Sequence, residues 1–446
     1  MDSTALLLAR LQFGLTLTYH FWFVALTLGL SPLIALMETW YVRSGDLCYK
    51  RLAKFWGKLF LVNYAVGIVT GLVNEFQFGM NWSEFSKYVG SVFGPSLAFE
   101  ASTAFFVESI AIGVWVYSWD KVSERIHLAA IWLVAWSSNY SGLWILSANS
   151  FMQHPLGYTI RNQRLELTDL LALVTNPYLF YQYIHTVLSG FVTAGFFVMA
   201  ISAYYLLRQK HRIEFKRSFR IGLWCALVST MLVVLSGHFY NQYLAKVQPM
   251  KMAASEALWE TATPAPFVVF AIIDEENRRN TYQIQLPALL SILANHTVHT
   301  PVQGMNELQA EFVRQFGPRQ YIPPVTILFW SFRIMVGTGL WLMALSALNF
   351  WYWRKGRLEC CPVLLKLNVY SLPLSYLSIT SGWLVTELGR QPWLVYGLLL
   401  TENGLSRAVP TASVWTSLLL YSAVYTVVAL AAVYAARRII ISGPGD

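Results

Sequence analysis

Nine long apolar runs constrain this chain more than any other feature, because a helix needs about 20 mostly apolar residues to cross a membrane. In chain order the runs are Leu11–Tyr41, Leu59–Phe78, Leu97–Trp119, Leu128–Ala148, Leu179–Leu207, Ile221–Tyr240, Val325–Trp351, Val363–Val385 and Ser413–Ala436. Charged residues make up only 12% of the sequence, whereas soluble domains carry roughly 25%. The sequence therefore predicts an all-α polytopic membrane protein with nine transmembrane helices.

The basic residues predict how these helices are oriented. Most Lys and Arg residues lie in the short segments after odd-numbered runs, such as 43–58 and 208–220. Because Lys and Arg are enriched in cytoplasmic loops, this asymmetry predicts an N-terminus outside and a C-terminus in the cytoplasm. The net charge of +9 is thereby explained by topology, and we expect no nucleic acid partner. The first run is too long for a cleavable signal peptide and lacks a basic segment before it, so we expect it to be retained.

The same pattern divides the chain into three segments. Residues 1–240 hold the first six helices, residues 241–324 form a long loop outside the membrane, and residues 325–446 hold the last three helices. A loop of this length in a compact protein is usually either functional or disordered. The four cysteines show no metal-binding spacing, and we expect them to be reduced.

Ionisable residues at the end of the eighth run are the first candidates for function. Glu387 and Arg390 lie at i and i+3, so they share one face of the helix near the membrane boundary. A carboxylate at this depth is costly unless a cation, a metal or a proton path uses it. An ordinary interfacial ion pair is the alternative, and the spacing alone leaves both open.

Three further side chains in the apolar runs are possible iron ligands. His20 lies in the first run, His185 opens the fifth, and Met335 lies about ten residues into the seventh. A lone buried His or Met is more often packing, but His and Met from different helices are a familiar axial pair for haem. With Glu387, all of them fall in the outer half under the predicted orientation. The set suits one low-spin and two high-spin haems near the outer surface, with Arg333 available to a haem propionate or a carboxylate.

Two carboxylates in the third run are candidates for proton transfer. Glu100 and Glu108 are eight residues apart, which on a helix means about 12 Å of rise and roughly 80° of rotation, so they face loosely the same side. Buried carboxylates without cations can take up and release protons. The alternative is that both are protonated acids that hydrogen-bond neighbouring helices. Ser141, Asn149 and Glu75 could extend such a path.

The outer loop contains two charged residues that suit a two-electron hydroxylated donor. Lys251 and Glu256 could accept its protons and orient it. Ordinary solvated charges are the alternative interpretation.

Short motifs in nearly every apolar run resemble those of subunit I of the cytochrome bd family of quinol oxidases. They are Arg10-Leu-Gln-Phe, Tyr19-His-Phe, Phe55-Trp-Gly-Lys-Leu-Phe, Glu75-Phe-Gln-Phe-Gly-Met-Asn-Trp, Ala104-Phe-Phe-Val-Glu-Ser, Leu143-Trp-Ile-Leu-Ser-Ala-Asn, His185-Thr-Val, Phe332-Arg-Ile-Met and the stretch Gly382–Trp393 with its Gly-Arg-Gln-Pro-Trp. The resemblance implies nine transmembrane helices and an outward quinol-binding loop between helices six and seven. Only about twenty residues separate Met305 from Pro324, so the loop resembles the short type.

The resemblance also implies roles for individual residues. His185 and Met335 would ligate a low-spin haem b, while His20 and Glu387 would serve two high-spin haems, a second haem b and a haem d or further haem b. Which high-spin haem each one takes stays open. Other implied roles are Glu100 on or near haem iron, Glu108 as inner proton donor, Lys251 and Glu256 at the quinol site, and Arg333, Arg390 and Trp383 at the cofactors.

The activity implied by the resemblance is electrogenic, non-pumping quinol:oxygen oxidoreduction in a bacterial or archaeal cytoplasmic membrane. Quinol would be oxidised outside, and oxygen would be reduced to water with protons from the cytoplasm. A homologous subunit II and a small single-span subunit would be partners. Ubiquinol and menaquinol are both open as substrates. The rival interpretations are a proton- or ion-coupled transporter without haem and a quinone-linked cytochrome b that does not bind oxygen.

Overall fold

The chain is a bundle of long helices, and the computed structural model describes residues 3–445. The helices are α1 (Ser3–Ser44), α2 (Leu47–Met80), α3 (Ser83–Phe99), α4 (Phe106–Tyr117), α5 (Glu124–Gln153), α6 (Leu170–Val174), α7 (Pro177–Leu207), α8 (Arg212–Val247), α9 (Pro249–Ser255), α10 (Leu289–Asn295), α11 (Met305–Phe316), α12 (Val325–Arg354), α13 (Pro362–Leu388) and α14 (Thr411–Ser442). A π-helical segment, Glu100–Phe105, joins α3 to α4 without a break. Short 3₁₀ turns lie at Leu358–Cys360 and Thr401–Gly404.

Three antiparallel hairpins lie in the connections between helices. Their strands are β1 (Tyr158–Arg161) with β2 (Arg164–Leu167), β3 (Phe267–Asp274) with β4 (Arg279–Leu286), and β5 (Trp393–Val395) with β6 (Leu399–Leu400). The charged stretch that follows β3 forms the turn of the second hairpin. No other paired strands occur within residues 3–445, so the fold is helical, as the sequence predicts.

Local sequence explains where the long helices start. The Asp46 carboxylate accepts the backbone N–H of Cys48 and so caps α2, after Gly45 ends α1 with φ of +68°. The Asn176 side chain caps α7 in the same way, and Pro177 occupies the first turn, where it needs no hydrogen-bond donor. These caps define where the helices begin, which the pattern of apolar residues alone does not.

The predicted spans can be compared with the helices directly. Each apolar run lies within a helical segment, except that the third run extends two residues beyond α4. Among the described residues, seven helical stretches are long and apolar enough to cross a membrane. The other two long helices, α5 and α13, carry many buried polar side chains, including Ser138, Asn149, Asn368 and Ser375. These polar residues lower the apolar content of α5 and α13, and their burial shows that they make contacts inside the bundle.

The long loop is an ordered, packed structure. Helix α8 continues to Val247, so the connection begins several residues after the predicted boundary at Asn241. Met250 from α9, Val268 from β3, Leu308 from α11 and Phe329 from α12 share one apolar cluster. This cluster fixes α9, with Lys251, against the membrane helices. All four cysteines are free, as expected.

Candidate functional site

His185 on α7 is held in one tautomer by its neighbour on α8. Its Nδ1 lies 3.1 Å from the hydroxyl oxygen of Ser236, and that hydroxyl already donates its only proton to the carbonyl of Val233 at 3.0 Å. With that proton on the carbonyl, the hydroxyl oxygen accepts from Nδ1–H, and the Nε2 lone pair of His185 is free. This is the tautomer that a metal-binding imidazole needs.

His20 on α1 has the same arrangement with a different helix. Its Nδ1 lies 2.9 Å from the hydroxyl oxygen of Thr70 on α2, which donates to the carbonyls of Val66 and Gly67. Nδ1–H is again the donor, and Nε2 is again free. The rim of the ring, at Cε1, packs closely over Gly71, where an added Cβ would lie 3.1 Å away. Each of the two histidines, on separate helices, is thus held by a hydroxyl group of a neighbouring helix.

Met335 on α12 packs against a glycine as tightly as the histidines do. A Cβ on Gly382 of α13 would lie only 2.9 Å from its sulfur. Similarly, a Cβ on Gly237 of α8 would lie 3.0 Å from Cε1 of His185. Glycine at both positions lets the neighbouring helix approach the thioether and the imidazole without displacing them.

Glu387 and Arg390 form the predicted ion pair, with 2.5 Å between Nη2 and the carboxylate. Asn149 on α5 also donates to Glu387 at 2.8 Å, so this amide serves Glu387 rather than a path from Glu100. Arg390 is buried, and its Nε and Nη1 have no partner among the described residues; the indole Nε1 of buried Trp393 is likewise unpaired. Unpaired buried donors are costly, so this corner fits a ligand with carboxylates, such as haem propionates.

Trp383 lies one helical turn before Glu387 and faces α1. Its ring stacks on Phe21 with 5.5 Å between centroids. Because Phe21 follows His20 directly, this contact joins the α13 stretch to the α1 ligand. The tertiary structure therefore brings Trp383 close to the His20 region.

Glu100 and Glu108 both face α5, although the π-helical segment lies between them. Ser141 donates to Glu100 at 2.7 Å, and Ser138 donates to the buried Glu108. Ser138 and Ser141 are three residues apart on one face of α5, so the two carboxylates lie along the same side, as predicted. Glu75 is exposed on the outer face of the chain. Its carboxylate is nevertheless near enough to Glu100 for the two charges to interact.

Lys251 is buried, with 2% of its surface exposed, so it is not an ordinary solvated charge. Its ammonium lies 2.7 Å from the Gln153 amide oxygen and 3.3 Å from the Tyr178 hydroxyl. Burial lowers the pKa of Lys251 well below its ordinary value, the Arg390 guanidinium lowers it further, and the Glu387 carboxylate opposes both. The side chain can therefore be a neutral amine that accepts a proton.

Glu256 is also buried, with 1% exposed, and it pairs with Arg333 at 2.6 Å. Burial raises the pKa of Glu256, and the Arg333 guanidinium opposes this shift. Arg333 also donates from Nε to the carbonyl of Val268 on β3 at 2.7 Å. Arg333 therefore contacts a carboxylate, one of the two partners that the sequence left open for it.

Sequence reasoning missed the residues that support these groups. Thr70, Ser236, Gln153 and Tyr178 lie far along the chain from the side chains that they contact. On α2, small and polar residues recur at helical spacing and include Thr70, but such a stripe is also typical of an ordinary contact between helices. Single serines and glutamines carried no signal at all.

The donor sets on α1, α7, α12 and α13 limit what kind of metal centre is present. Within residues 3–445 no three His, Cys, Asp or Glu side chains form a cluster that could hold a metal ion alone. Free imidazole nitrogens, one thioether and unpaired donors fit haem, because the porphyrin supplies the remaining iron ligands. The fold and these sites define a class of protein: a polytopic helical membrane protein equipped to bind haem.

Comparison with known proteins identifies the family. Residues 8–444 match the family model of cytochrome bd terminal oxidase subunit I. The chain is 45% identical over 424 residues to the cytochrome bd ubiquinol oxidase subunit 1 of Bacillus subtilis, covering 95% of this chain and 90% of that protein. It is 38% identical to the cytochrome bd-II ubiquinol oxidase subunit 1 of Escherichia coli, covering 98% and 96%. The chain therefore belongs to the cytochrome bd terminal oxidase subunit I family.

A solved structure agrees with this assignment. The bd oxidase from Geobacillus thermodenitrificans matches with a TM-score of 0.90 and 29% identity, over 99% of this chain and all of that one. The predicted family and the predicted enzyme class, an oxidase, are confirmed. Membership also implies haem cofactors, a second subunit and a location in a bacterial membrane.

Proposed function

We propose that this chain is the haem-bearing subunit of an oxidase that oxidises quinol at the outer face and reduces oxygen with cytoplasmic protons. The observation that carries the proposal is the shared support of His20 and His185. In both, a hydroxyl whose proton is already donated to backbone holds Nδ1–H and leaves Nε2 free. Metal-ligating imidazoles almost always donate their other ring N–H to a hydrogen-bond acceptor, and both of these histidines have such an acceptor.

The ligand assignment is the one that the resemblance to the cytochrome bd family implies. His185 and Met335 would hold a low-spin haem b, and His20 and Glu387 would serve two high-spin haems, a haem b and a haem d or further haem b. When bound, the haems carry electrons from quinol to oxygen. Arg390 and Trp393 would receive propionates, because their unpaired donors need acceptors.

Quinol oxidation is assigned to the buried Lys251 and to the Glu256–Arg333 pair. A neutral Lys251 amine, with its lowered pKa, accepts a proton from a quinol hydroxyl. Glu256, held by Arg333, accepts a hydrogen bond from the second hydroxyl. Relatives named as ubiquinol oxidases and one named as a putative menaquinol oxidase support a quinol substrate but leave its ring type open.

Proton uptake is assigned to Glu108 and Glu100, which Ser138 and Ser141 line along α5. Each carboxylate has a hydroxyl partner and no cation among the described contacts, so each can hold a proton in the bundle interior. Uptake inside and release outside would separate charge without a pump. This assignment assumes nine transmembrane helices with the N-terminus outside, and a homologous subunit II with a small single-span subunit beside it.

A reduced-minus-oxidised spectrum of the purified complex, recorded together with quinol-driven oxygen consumption, tests the proposal. We expect haem b bands, with or without a chlorin band, and oxygen uptake on addition of quinol. Colourless protein would refute haem binding and favour a transporter. Haem without oxygen uptake would instead indicate a cytochrome b that passes electrons to a partner.

A further inference from the structure

Two side chains near the end of α8 and a histidine from the segment that follows it meet at one point. His238 and Gln242 lie at i and i+4 on α8, so they share one face of the helix. His296 ends α10 in the left-handed conformation, with φ of +55°. Its Nε2 lies 2.7 Å from the terminal amide nitrogen of Gln242, and Nε2 of His238 lies 3.0 Å from that nitrogen. None of these residues belongs to the haem or quinol sites.

Hydrogen bonding alone does not satisfy this cluster. The Leu293 carbonyl also lies 3.1 Å from the Gln242 amide nitrogen, so three acceptors surround a group that has two hydrogens. Turning the amide over would point its oxygen at the Leu293 carbonyl, where neither atom has a proton to share. In either orientation one contact lacks a hydrogen. A bound cation removes the mismatch, because the imidazole nitrogens and the amide oxygen can all be ligands.

The spacing of the three groups also suits a metal ion. With zinc–nitrogen bonds of about 2.0–2.1 Å, neighbouring ligands of a tetrahedral site lie roughly 3.3 Å apart. The contacts of 2.7 and 3.0 Å would widen by roughly 0.6 and 0.3 Å to reach this spacing. The planes of the two imidazole rings lie at 70° to each other. Because His296 is exposed, water can complete the coordination.

We propose that His238, Gln242 and His296 form a binding site for a divalent transition-metal ion, with Zn²⁺ as its probe. Imidazole nitrogen suits Zn²⁺ and Cu²⁺, whereas Ca²⁺ and Mg²⁺ prefer oxygen ligands. The bound ion would tie α10 to α8. His238 follows Gly237, which packs on His185, so the ion would stabilise the outer connection close to that ring. The inference does not depend on the assignment of haem or quinol residues.

Equilibrium dialysis of the purified oxidase complex against ZnCl₂, with metal quantified by mass spectrometry, tests the site. We expect His238→Ala and His296→Ala each to bind one Zn²⁺ fewer than the wild type at micromolar free zinc. Affinity should fall at least about tenfold, because even changes to residues behind metal ligands commonly cost 10- to 100-fold. His299→Ala is the matched control, since His299 is an exposed histidine of the same connection outside the cluster.

Hydrogen exchange is a second readout of zinc binding, which can still be interpreted if a variant is less stable. Zn²⁺ should slow exchange of residues 289–296 in the wild type and in His299→Ala, and leave it unchanged in His296→Ala. Equal zinc stoichiometry in the wild type and both ligand variants would overturn the proposal. Loss of the ion from His299→Ala alone would overturn it as well, because the ligands would then be different residues.

Discussion

Gly382→Ala tests the idea that the Met335 thioether is an iron ligand placed by close helix packing. The new Cβ would lie 2.9 Å from the sulfur, whereas non-bonded heavy atoms rest at roughly 3.5–4.0 Å. The thioether must therefore move by about 1 Å. Overpacking a core costs about 1–3 kcal/mol, and the low end applies here because the sulfur lies near the end of a flexible side chain. The fold should survive while the ligand is displaced.

The expected result is spectroscopic. A displacement of this size removes the sixth ligand, so the low-spin haem b signal should convert to a high-spin or five-coordinate form. Gly337→Ala is the matched control, because it lies on the same helix as Met335 and an added Cβ there meets nothing within 4 Å. The assay is the reduced-minus-oxidised spectrum with a thermal melt of each purified complex. An unchanged low-spin signal in Gly382→Ala would refute Met335 as a ligand in this packing.

Three further predictions concern the other parts of the site. Ser236→Ala should weaken haem retention at His185 by about 10- to 100-fold, measured by haem loss to an apo-protein acceptor; equal retention would contradict the tautomer argument. Glu108→Gln should slow oxygen reduction and leave quinol binding unchanged, measured by oxygen uptake and inhibitor titration; normal turnover would contradict the proton role. The lowered pKa of Lys251 leaves its amine neutral at any pH above that pKa. The rate of quinol oxidation should therefore fall as the pH decreases through this pKa. Lys251→Met should remove this decrease from the pH–rate profile.

The fold was largely predictable because apolar run length is a local property of the chain. Each predicted run lies in a helix of the structure, apart from two residues beyond α4. That the outer connection forms an ordered, packed structure was not predictable. Its apolar cluster joins α9, β3, α11 and α12, which are separated along the chain and which no periodicity links.

Some residues of the candidate site could likewise be selected from the sequence, and others could not. His20, His185, Met335 and Glu387 could be selected from the sequence because ionisable or metal-binding groups in apolar runs are rare. The burial of Lys251 and Glu256 could not be, since both lie in a loop outside the predicted spans, where solvent is the default environment of a charged side chain. Their partners, Gln153 and Arg333, reach them from helices that only folding brings near.

The sequence by itself determined which segments are helices and which side chains are chemically able to bind iron or move protons. Residue type and spacing carry that information without any knowledge of neighbours. Only the tertiary structure decided which nitrogen of each histidine is free, which acid Arg333 neutralises and which donors at Arg390 are left unpaired. Those outcomes depend on contacts between helices, and a hydrogen bond between distant residues leaves no trace in the order of the chain.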